Sequence, residues 1–160
     1  MNRFANLADA GERLAPSLRD RIGKWDDPCL LAIIPNGVPV AEPLADGLQL
    51  PLLAAPIDRS GDPTVGALPR LDGRTVIVVD DGVETGTAAR LVGEAARAVG
   101  AAYVVLAVPV CPREAQPAMD QVYDEVLALE RPLVRRDLRW HYDDFDTVDE
   151  AEAQRRLAAR

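Results

Sequence analysis

Two adjacent aspartates, Asp80 and Asp81, directly follow the apolar run at 75–79. Adjacent carboxylates repel each other, and removing them from water beside a buried strand costs free energy. A capping role explains one of these acids but not both. Two neighbouring carboxylates can, however, accept hydrogen bonds from a vicinal diol or orient a hydrated Mg²⁺ ion. The pair therefore indicates a site for two sugar hydroxyls or for a metal ion.

A turn of small residues comes next, with Thr85, Gly86 and Thr87 ahead of a predicted helix. Backbone N–H groups at such a turn form an anion-binding nest, and the helix dipole favours negative charge there. The threonine hydroxyls add donors, and Gly86 lets a phosphate approach the backbone closely. A helix cap without any ligand is the alternative for the turn taken alone. Acids and turn together favour a ribose 5-phosphate.

Short apolar runs alternate with segments of helical periodicity, which predicts an α/β fold with a mostly parallel sheet. The expected strands cover 29–34, 51–57, 75–79, 102–110 and 124–130. The expected helices cover 4–22 with a break or kink at Pro16, 38–48, 86–99, 113–122 and the stretch from about 148 to the end. Residues 58–74 are polar and rich in Gly and Pro, which predicts a loop. At 160 residues, we expect a single domain spanning 1–160.

Composition argues against several classes of protein. The chain has 18 Lys and Arg against 26 Asp and Glu, so a net charge of −8 is unlike a nucleic-acid-binding protein. No apolar run is long enough for a membrane span and no signal sequence opens the chain, so we expect a cytoplasmic protein. Cys29 and Cys111 sit in or beside apolar runs, which predicts buried, reduced thiols.

Other phosphate-binding classes lack their fingerprints. The sequence contains no G-x-x-x-x-G-K-[ST] motif and no G-x-G-x-x-G motif. A phosphoacceptor receiver domain would place the acid pair near its start and a lysine far downstream. Here about 75 residues precede the strand that ends in the acids, and the one lysine, Lys24, comes before it.

The segment VIVVDDGVETGTA resembles the phosphoribosyl-diphosphate signature of the type I phosphoribosyltransferases. FANLADAGERLA, IIPNGVPVAEPLA, LAVPVCPREA, DEVLALERP and WHYDDFDTVDEAE are similar, in the same order, to segments of small bacterial predicted phosphoribosyltransferases. The resemblance covers most of the chain. It implies a type I phosphoribosyltransferase-like fold, with a five-stranded sheet flanked by helices and a small hood built from the terminal segments.

The resemblance also implies residue roles. Asp80 and Asp81 would bind the ribose 2- and 3-hydroxyls and help to organise Mg²⁺, the expected cofactor. Glu84 would act as a general acid or base near the reacting nitrogen of the base, unless it is simply an exposed loop residue. The loop for the 5-phosphate would comprise Gly82, Val83, Glu84, Thr85, Gly86, Thr87 and Ala88. The loop for the diphosphate would comprise Pro35, Asn36 and Gly37.

Several departures from the family pattern bear on catalysis. Ala88 replaces the last hydroxyl residue of the signature, and Pro35-Asn36 stands where similar proteins carry Arg-Gly. In similar proteins, an Arg-Lys pair precedes a long loop that closes over the site. Here that region contains Arg59 and only the short connection at 58–74. We expect Arg59 to substitute in part. Each lost donor is expected to cost ~1–3 kcal/mol of phosphate or diphosphate binding.

Two functions follow from this pattern. The first is Mg²⁺-dependent transfer between phosphoribosyl diphosphate and a nitrogenous base. The second is a non-catalytic member of the same fold that binds a nucleotide or a partner, which the missing arginine, lysine and long loop permit. Neither nucleic acid nor membrane is an expected partner, and a homodimer is possible because symmetric dimers are common.

Large rings cluster near the C-terminus, at Trp140, Tyr142 and Phe145. They favour a hydrophobic clamp that ties the last helix to the core, with stacking on a nucleobase as the alternative. His141 is the sole histidine, and we expect an exposed or capping residue rather than a catalyst.

Overall fold

A computed structural model describes residues 3–160 of the chain. Its centre is a parallel sheet of five strands in the spatial order β2–β1–β5–β6–β7. These strands are β1 (Cys29–Ile33), β2 (Leu52–Ala55), β5 (Thr75–Val79), β6 (Tyr103–Val110) and β7 (Glu125–Glu130). Every residue of β1 and β5 is buried, as their unbroken apolar sequences predict for strands covered on both faces.

Within residues 3–160, five α-helices cover the sheet. They are α1 (Leu7–Ile22), α2 (Gly37–Leu48), α3 (Thr87–Ala98), α4 (Gln116–Val122) and α5 (Glu150–Ala158). Alternate residues of each central strand serve opposite faces, so Ile77 packs into the core under α1, α2 and α5, while Val78 packs into the core under α3 and α4. No helix within residues 3–160 is long and apolar enough to cross a bilayer.

The chain reverses its direction across the sheet between β1 and β5. From β1 it moves outward to β2 at one edge, and it then returns to β5 on the other side of β1. The loops that leave β1 and β5 therefore diverge, and a crevice opens beyond the carboxyl ends of these two strands. Ligands of open α/β sheets bind at such a switch point. The acid pair after β5 lies at this crevice.

Three local predictions were wrong. Pro16 lies inside one continuous helix, α1, because its missing donor affects a single bond of a 16-residue element. Phe4 precedes that helix and forms a parallel bridge with Tyr142. The predicted loop at 58–74 contains part of a hairpin, β3 (Ile57–Asp58) with β4 (Thr64–Val65), whose two-residue strands are too short to give an alternating pattern.

The two terminal segments join above the carboxyl end of the sheet. The Phe4 N–H donates to the His141 carbonyl at 2.8 Å, and the Asp143 N–H donates to the Phe4 carbonyl at 2.7 Å. The ring of Tyr142 packs between those of Phe4 and Phe145, with centroids 5.4 and 5.0 Å away. The segment between β7 and α5 is thereby fixed over the crevice.

Two helical glycines provide a matched test of the packing between α1 and α2. A Cβ on Gly11 would overlap the carbonyl oxygen of Val40, whereas a Cβ on Gly47 would meet nothing within 4 Å. We expect Gly11→Ala to lower the free energy of unfolding by ~1–3 kcal/mol through overpacking. Gly47→Ala should leave it unchanged or raise it by up to about 1 kcal/mol through helix propensity. Urea denaturation measures both, and equal effects would contradict the packing.

Candidate functional site

The acid pair occupies the first two positions after β5. Asp81 is buried, Asp80 is partly exposed, and the backbone N–H of Asp81 donates to Oδ1 of Asp80 at 2.8 Å. Gly37, at the start of α2, passes so close that a Cβ there would overlap the Val79 carbonyl oxygen. The backbones that leave β1 and β5 are therefore in direct contact, and glycine is required at the crossing.

Both carboxyls have raised pKa values. Burial is the main cause for Asp80, and the neighbouring charge of Asp81 adds to it, while Arg59 acts in the opposite direction. Burial also raises the pKa of Asp81 to about 6, with Glu84 contributing in the same direction and the hydrogen bond with Asp80 opposing. Two carboxylates this close together, one of them buried, are stabilised in their charged form by a nearby cation or by a ligand that donates hydrogen bonds.

The turn after the acids keeps several backbone donors available. Gly82 has φ +151° and Gly86 has φ +87°, so both adopt backbone conformations that other residues rarely take. Within residues 3–160, no protein acceptor takes the N–H of Thr85, Gly86 or Ala88. The N–H of Val83 is not available, because it donates to the Val110 carbonyl at 2.8 Å.

A cavity of about 200 Å³ lies between the acids and this turn. Its lining comprises Arg59, Asp80, Asp81, Gly82, Val83, Glu84, Thr85, Gly86, Thr87, Ala88, Ala89 and Leu138. The hydroxyl oxygens of Thr85 and Thr87 are 3.3 Å apart and exposed. Available N–H groups at the start of α3 and the positive end of its dipole make this cavity suited to an anion.

Among the described residues, Arg59 is the one cationic side chain that lines this cavity. It also lines a second, adjoining cavity of about 520 Å³. The other residues around that second cavity are Ile34, Pro35, Pro56, Ile57, Asp58, Ser60, Gly66 and Glu150. Arg59 is therefore placed to contact ligands in either cavity. Lys24 lines a pocket with Thr75, at the amino end of β5, and so belongs to the opposite end of the sheet.

Two of the predicted diphosphate-loop residues line neither cavity. Gly37 is buried against Val79, and Oδ1 of Asn36 accepts a hydrogen bond from the Val148 N–H at 3.0 Å. Asn36 thus ties the segment before α5 to the loop after β1. Only Pro35 of that predicted loop reaches a cavity wall.

A strap, defined as residues 131–149 between β7 and α5, supplies contacts that sequence reasoning missed. The hydroxyl of Tyr142 donates to the Asp81 carbonyl at 2.7 Å. Leu138 packs on Gly82, where any Cβ would overlap its side chain, and the Leu138 N–H lies 3.4 Å from Oε1 of Glu84. No local sequence signal identifies Leu138, because it is one apolar residue in a charged stretch.

A comparison with models of protein families identifies the family of the chain. The model of the phosphoribosyl transferase domain matches residues 2–136, which is most of the sequence. The chain belongs to this family. Its fold is that of a type I phosphoribosyltransferase, as predicted.

Curated relatives and solved structures agree with this membership. Two Mycobacterium tuberculosis proteins, each named "Putative phosphoribosyl transferase", are 27% identical over 95% of the chain. The chain spans about half of their length, 46%. A Thermus thermophilus crystal structure superposes with a TM-score of 0.80 at 25% identity and covers 98% of both chains.

Two further structures share the phosphoribosyltransferase fold at lower identity. A purine phosphoribosyltransferase from Pyrococcus horikoshii gives a TM-score of 0.57 at 21% identity, covering 82% of this chain and 93% of the other. A hypothetical protein from Neisseria gonorrhoeae with bound ppGpp gives 0.56 at 16% identity and covers 99% of both. These two similarities concern the fold alone.

The C-terminal aromatic residues of this family member divide into two groups. Tyr142 is buried, and Phe145 packs against the same core as α5, so the predicted clamp is confirmed for both. Trp140 is instead 38% exposed, with the Arg136 guanidinium 4.5 Å from its ring centroid. The expectation for His141 was wrong, because its side chain is fully buried and neither ring nitrogen has a hydrogen-bond partner within residues 3–160.

His141 should make stability depend on pH. Burial lowers its pKa, Arg136 and Arg3 act in the same direction, and Glu130 opposes them. The unfolded chain then binds the proton at about pH 6.5 and the folded chain only at lower pH, so stability is lost as pH falls through this window. His141→Leu removes two unpaired polar atoms, and it should be at least as stable as the wild type at pH 7.

The measurement is the free energy of unfolding in urea at several pH values from neutral downward. The advantage of His141→Leu over the wild type should grow as pH falls. A constant difference would show that the imidazole has the same pKa in the folded and unfolded chains, and a shrinking difference would show that folding raises its pKa; either result would contradict the prediction.

Proposed function

We propose that the protein transfers a phosphoribosyl group between diphosphate and a nitrogenous base, with Mg²⁺ as its cofactor. One observation carries the proposal: the acid pair lines the same cavity as turn residues whose N–H groups have no acceptor within residues 3–160. A ribose 5-phosphate has a vicinal diol at one end and a dianion at the other. Carboxylates suit the first and the amides at a helix start suit the second.

The residues fit Mg²⁺ by the chemistry of their donors. Mg²⁺ prefers oxygen ligands, keeps several waters and is usually held by one or two carboxylates together with substrate phosphates. Asp80 and Asp81 offer two carboxylates, and no group of three or more metal-ligating side chains gathers anywhere within residues 3–160. A partly hydrated ion that also binds the substrate fits this site better than an ion coordinated by protein ligands alone. When bound, the ion would neutralise charge on the diphosphate.

The residues of the chain bind and orient the substrate, and one of them can exchange a proton with the base. Asp80 and Asp81 hold the sugar hydroxyls, and the amides of Thr85, Gly86 and Ala88 hold the phosphate. Glu84 lines the same cavity and is exposed, so it can donate a proton to the base nitrogen or remove one.

Arg59 attracts the diphosphate as it leaves. It is the cationic residue that lines both cavities, so its charge acts at the junction between them. The Leu138 side chain covers Gly82 and closes the cavity wall on the side of the strap. In this arrangement the protein positions the reacting groups and stabilises the charge that separates between them.

A second candidate is binding without catalysis, and the scarcity of cations favours it. The first cavity has three carboxylates and one arginine, and the second adds Asp58 and Glu150. A nucleotide that lacks a diphosphate at ribose C1 would need fewer cations than phosphoribosyl diphosphate.

Calorimetric titration followed by a turnover assay separates the two candidates. The protein is titrated with phosphoribosyl diphosphate, with and without Mg²⁺, and diphosphate release is then followed with a panel of purine and pyrimidine bases. Binding followed by release with one base supports the transferase. Binding without release across the panel supports the second candidate, and failure to bind even ribose 5-phosphate contradicts both.

Replacing the acids should weaken sugar binding while leaving the fold intact. For Asp80→Asn and Asp81→Asn, the affinity for ribose 5-phosphate with Mg²⁺ should fall by ~1–3 kcal/mol each, about five- to 150-fold. Asp20→Asn, an exposed position on α1, is the matched control and should have no effect. Equal affinities for all three variants would show that the acids do not contact the ligand.

The proposed role of Glu84 separates binding from turnover. Glu84→Gln keeps the shape of the side chain and removes its ability to exchange a proton. We expect kcat to fall by about 10²–10⁴ with an unchanged dissociation constant for phosphoribosyl diphosphate. Glu12→Gln, at an exposed position of α1, serves as the control. Full activity of Glu84→Gln would exclude general acid or base catalysis by this residue.

A further inference from the structure

A cavity remote from the candidate site lies at the amino end of the sheet, and we call it the amino-end cavity. Its volume is about 340 Å³, which is within the range of small-molecule sites. The five residues of β5 separate it from Asp80 by about 16 Å. Its lining comprises Lys24, Trp25, Asp26, Thr75, Tyr103 and Glu125.

Two aromatic rings in the wall of this cavity are held by one carboxylate. Trp25 donates through Nε1 to Oε2 of Glu125 at 3.2 Å, and the hydroxyl of Tyr103 donates to the same oxygen at 2.8 Å. Arg21 donates through Nε to Oε1 of Glu125 at 3.0 Å. Both rings are partly buried against the core under α1. Because their polar atoms already bond Glu125, the two rings offer a ligand apolar π surface.

Backbone hydrogen bonds fix the turn that carries Lys24, Trp25 and Asp26. The Lys24 N–H donates to the Arg21 carbonyl at 2.9 Å, in the turn that follows α1. The Asp26 carbonyl accepts from the Thr75 N–H at 2.9 Å, which ties the same turn to the start of β5. A cavity wall held in this way loses little conformational entropy when a ligand binds.

Two side chains of opposite charge line the amino-end cavity. Among residues 3–160, no carboxylate lies within 4 Å of the Lys24 ammonium, and no cationic side chain lies within 4 Å of the Asp26 carboxylate. The next acid along the chain, Asp27, is by contrast paired with Arg74 at 3.1 Å. Lys24 and Asp26 are both exposed and flank Trp25 in the sequence. Within the described part of the chain, the cavity therefore presents one unpaired cation and one unpaired anion beside an aromatic ring.

We propose that the amino-end cavity binds an aromatic α-amino acid in its zwitterionic form. The carboxylate of the ligand pairs with Lys24, its ammonium group pairs with Asp26, and its ring packs on Trp25 and Tyr103. Such a ligand supplies a partner for each charge and an apolar ring for the aromatic wall. The cavity lies at the opposite end of the strands from the acid pair, so this proposal does not depend on the proposed function.

A ligand with both charges fits this cavity better than an aromatic molecule with one charge. An aromatic acid would leave Asp26 unpaired and bring a second carboxylate close to it, and an aromatic amine would do the same to Lys24 with a second cation. Like charges held close together are unfavourable. The net charge of −8 also repels free anions, so a single lysine is a weak site for a phosphate or a simple carboxylate.

The fluorescence of Trp25 reports occupancy of the cavity directly. The chain has two tryptophans, so Trp140→Phe leaves Trp25 as the single one. This variant is titrated with L-phenylalanine, with and without ribose 5-phosphate. We expect a saturable change in tryptophan emission with a dissociation constant below about 1 mM, and ribose 5-phosphate should not alter it.

Variants combined with ligand analogues identify each contact. Lys24→Met should weaken the binding of L-phenylalanine about three- to tenfold and should not weaken that of phenethylamine, which has no carboxylate. Asp26→Asn should weaken the binding of L-phenylalanine to a similar extent and should not weaken that of 3-phenylpropionate, which has no ammonium group.

The matched controls are two exposed positions near the end of α1. Arg19→Met changes the net charge as Lys24→Met does, and Asp20→Asn changes it as Asp26→Asn does. Neither residue lines the cavity, so neither variant should alter the affinity for L-phenylalanine. Circular dichroism verifies that every variant is folded.

Three results would overturn the proposal. One is a dissociation constant for L-phenylalanine above about 1 mM, or no saturable change in the emission of Trp25. Another is a loss of affinity in Arg19→Met or Asp20→Asn as large as that in the cavity variants. The third is a fluorescence change that ribose 5-phosphate abolishes, which would assign the binding of L-phenylalanine to the cavity at Asp80 and Asp81.

Discussion

The parallel pairing of β1 with β5 is the constraint on which the rest of the structure depends. It joins Cys29–Ala32 to Val76–Val79 in register, and it sets the first loop residues of both strands side by side. Because the chain leaves these strands in opposite directions, their loops part and a crevice forms. This arrangement requires glycine at Gly37, because a Cβ there would overlap the Val79 carbonyl oxygen at the start of α2. The acid pair comes directly after β5 and therefore lies at this crevice.

The strap makes the crevice into a defined site. Through Tyr142 it holds the Asp81 carbonyl, through Leu138 it covers Gly82, and through Val148 it holds Asn36. The contact with Asp81 uses its backbone carbonyl, and the contact with Gly82 uses apolar surface, so neither occupies the Asp81 carboxylate. A change that loosens the strap should therefore also alter the site.

The sequence predicted the sheet well because its central strands, β1, β5 and β6, are apolar runs without alternation, as expected for strands buried on both faces. It also predicted that the acid pair and the turn lie close together, and both line one cavity. It did not predict contacts between residues that lie far apart along the chain. The hydrogen bond from the Val148 N–H to the Asn36 amide oxygen is one such contact, because 112 positions separate the two residues.

The prediction for His141 failed for a related reason. Nothing local indicates that the Phe4 segment, 137 positions earlier, pairs with the backbone on either side and buries the ring. The hairpin of β3 and β4 was missed because strands of two residues carry no periodicity. In each case the determining interaction joins segments that are remote along the chain, and only the folded structure brings them together.

We propose that one cavity holds a sugar diol on the acids and its phosphate on the turn. A crystal structure of the protein with ribose 5-phosphate and Mg²⁺ tests this arrangement most directly. The phosphate should lie within hydrogen-bond distance of the N–H groups of Thr85, Gly86 and Ala88, and the 2- and 3-hydroxyls should lie on Asp80 and Asp81. A ligand bound with its phosphate elsewhere, or with its hydroxyls turned away from both aspartates, would contradict it.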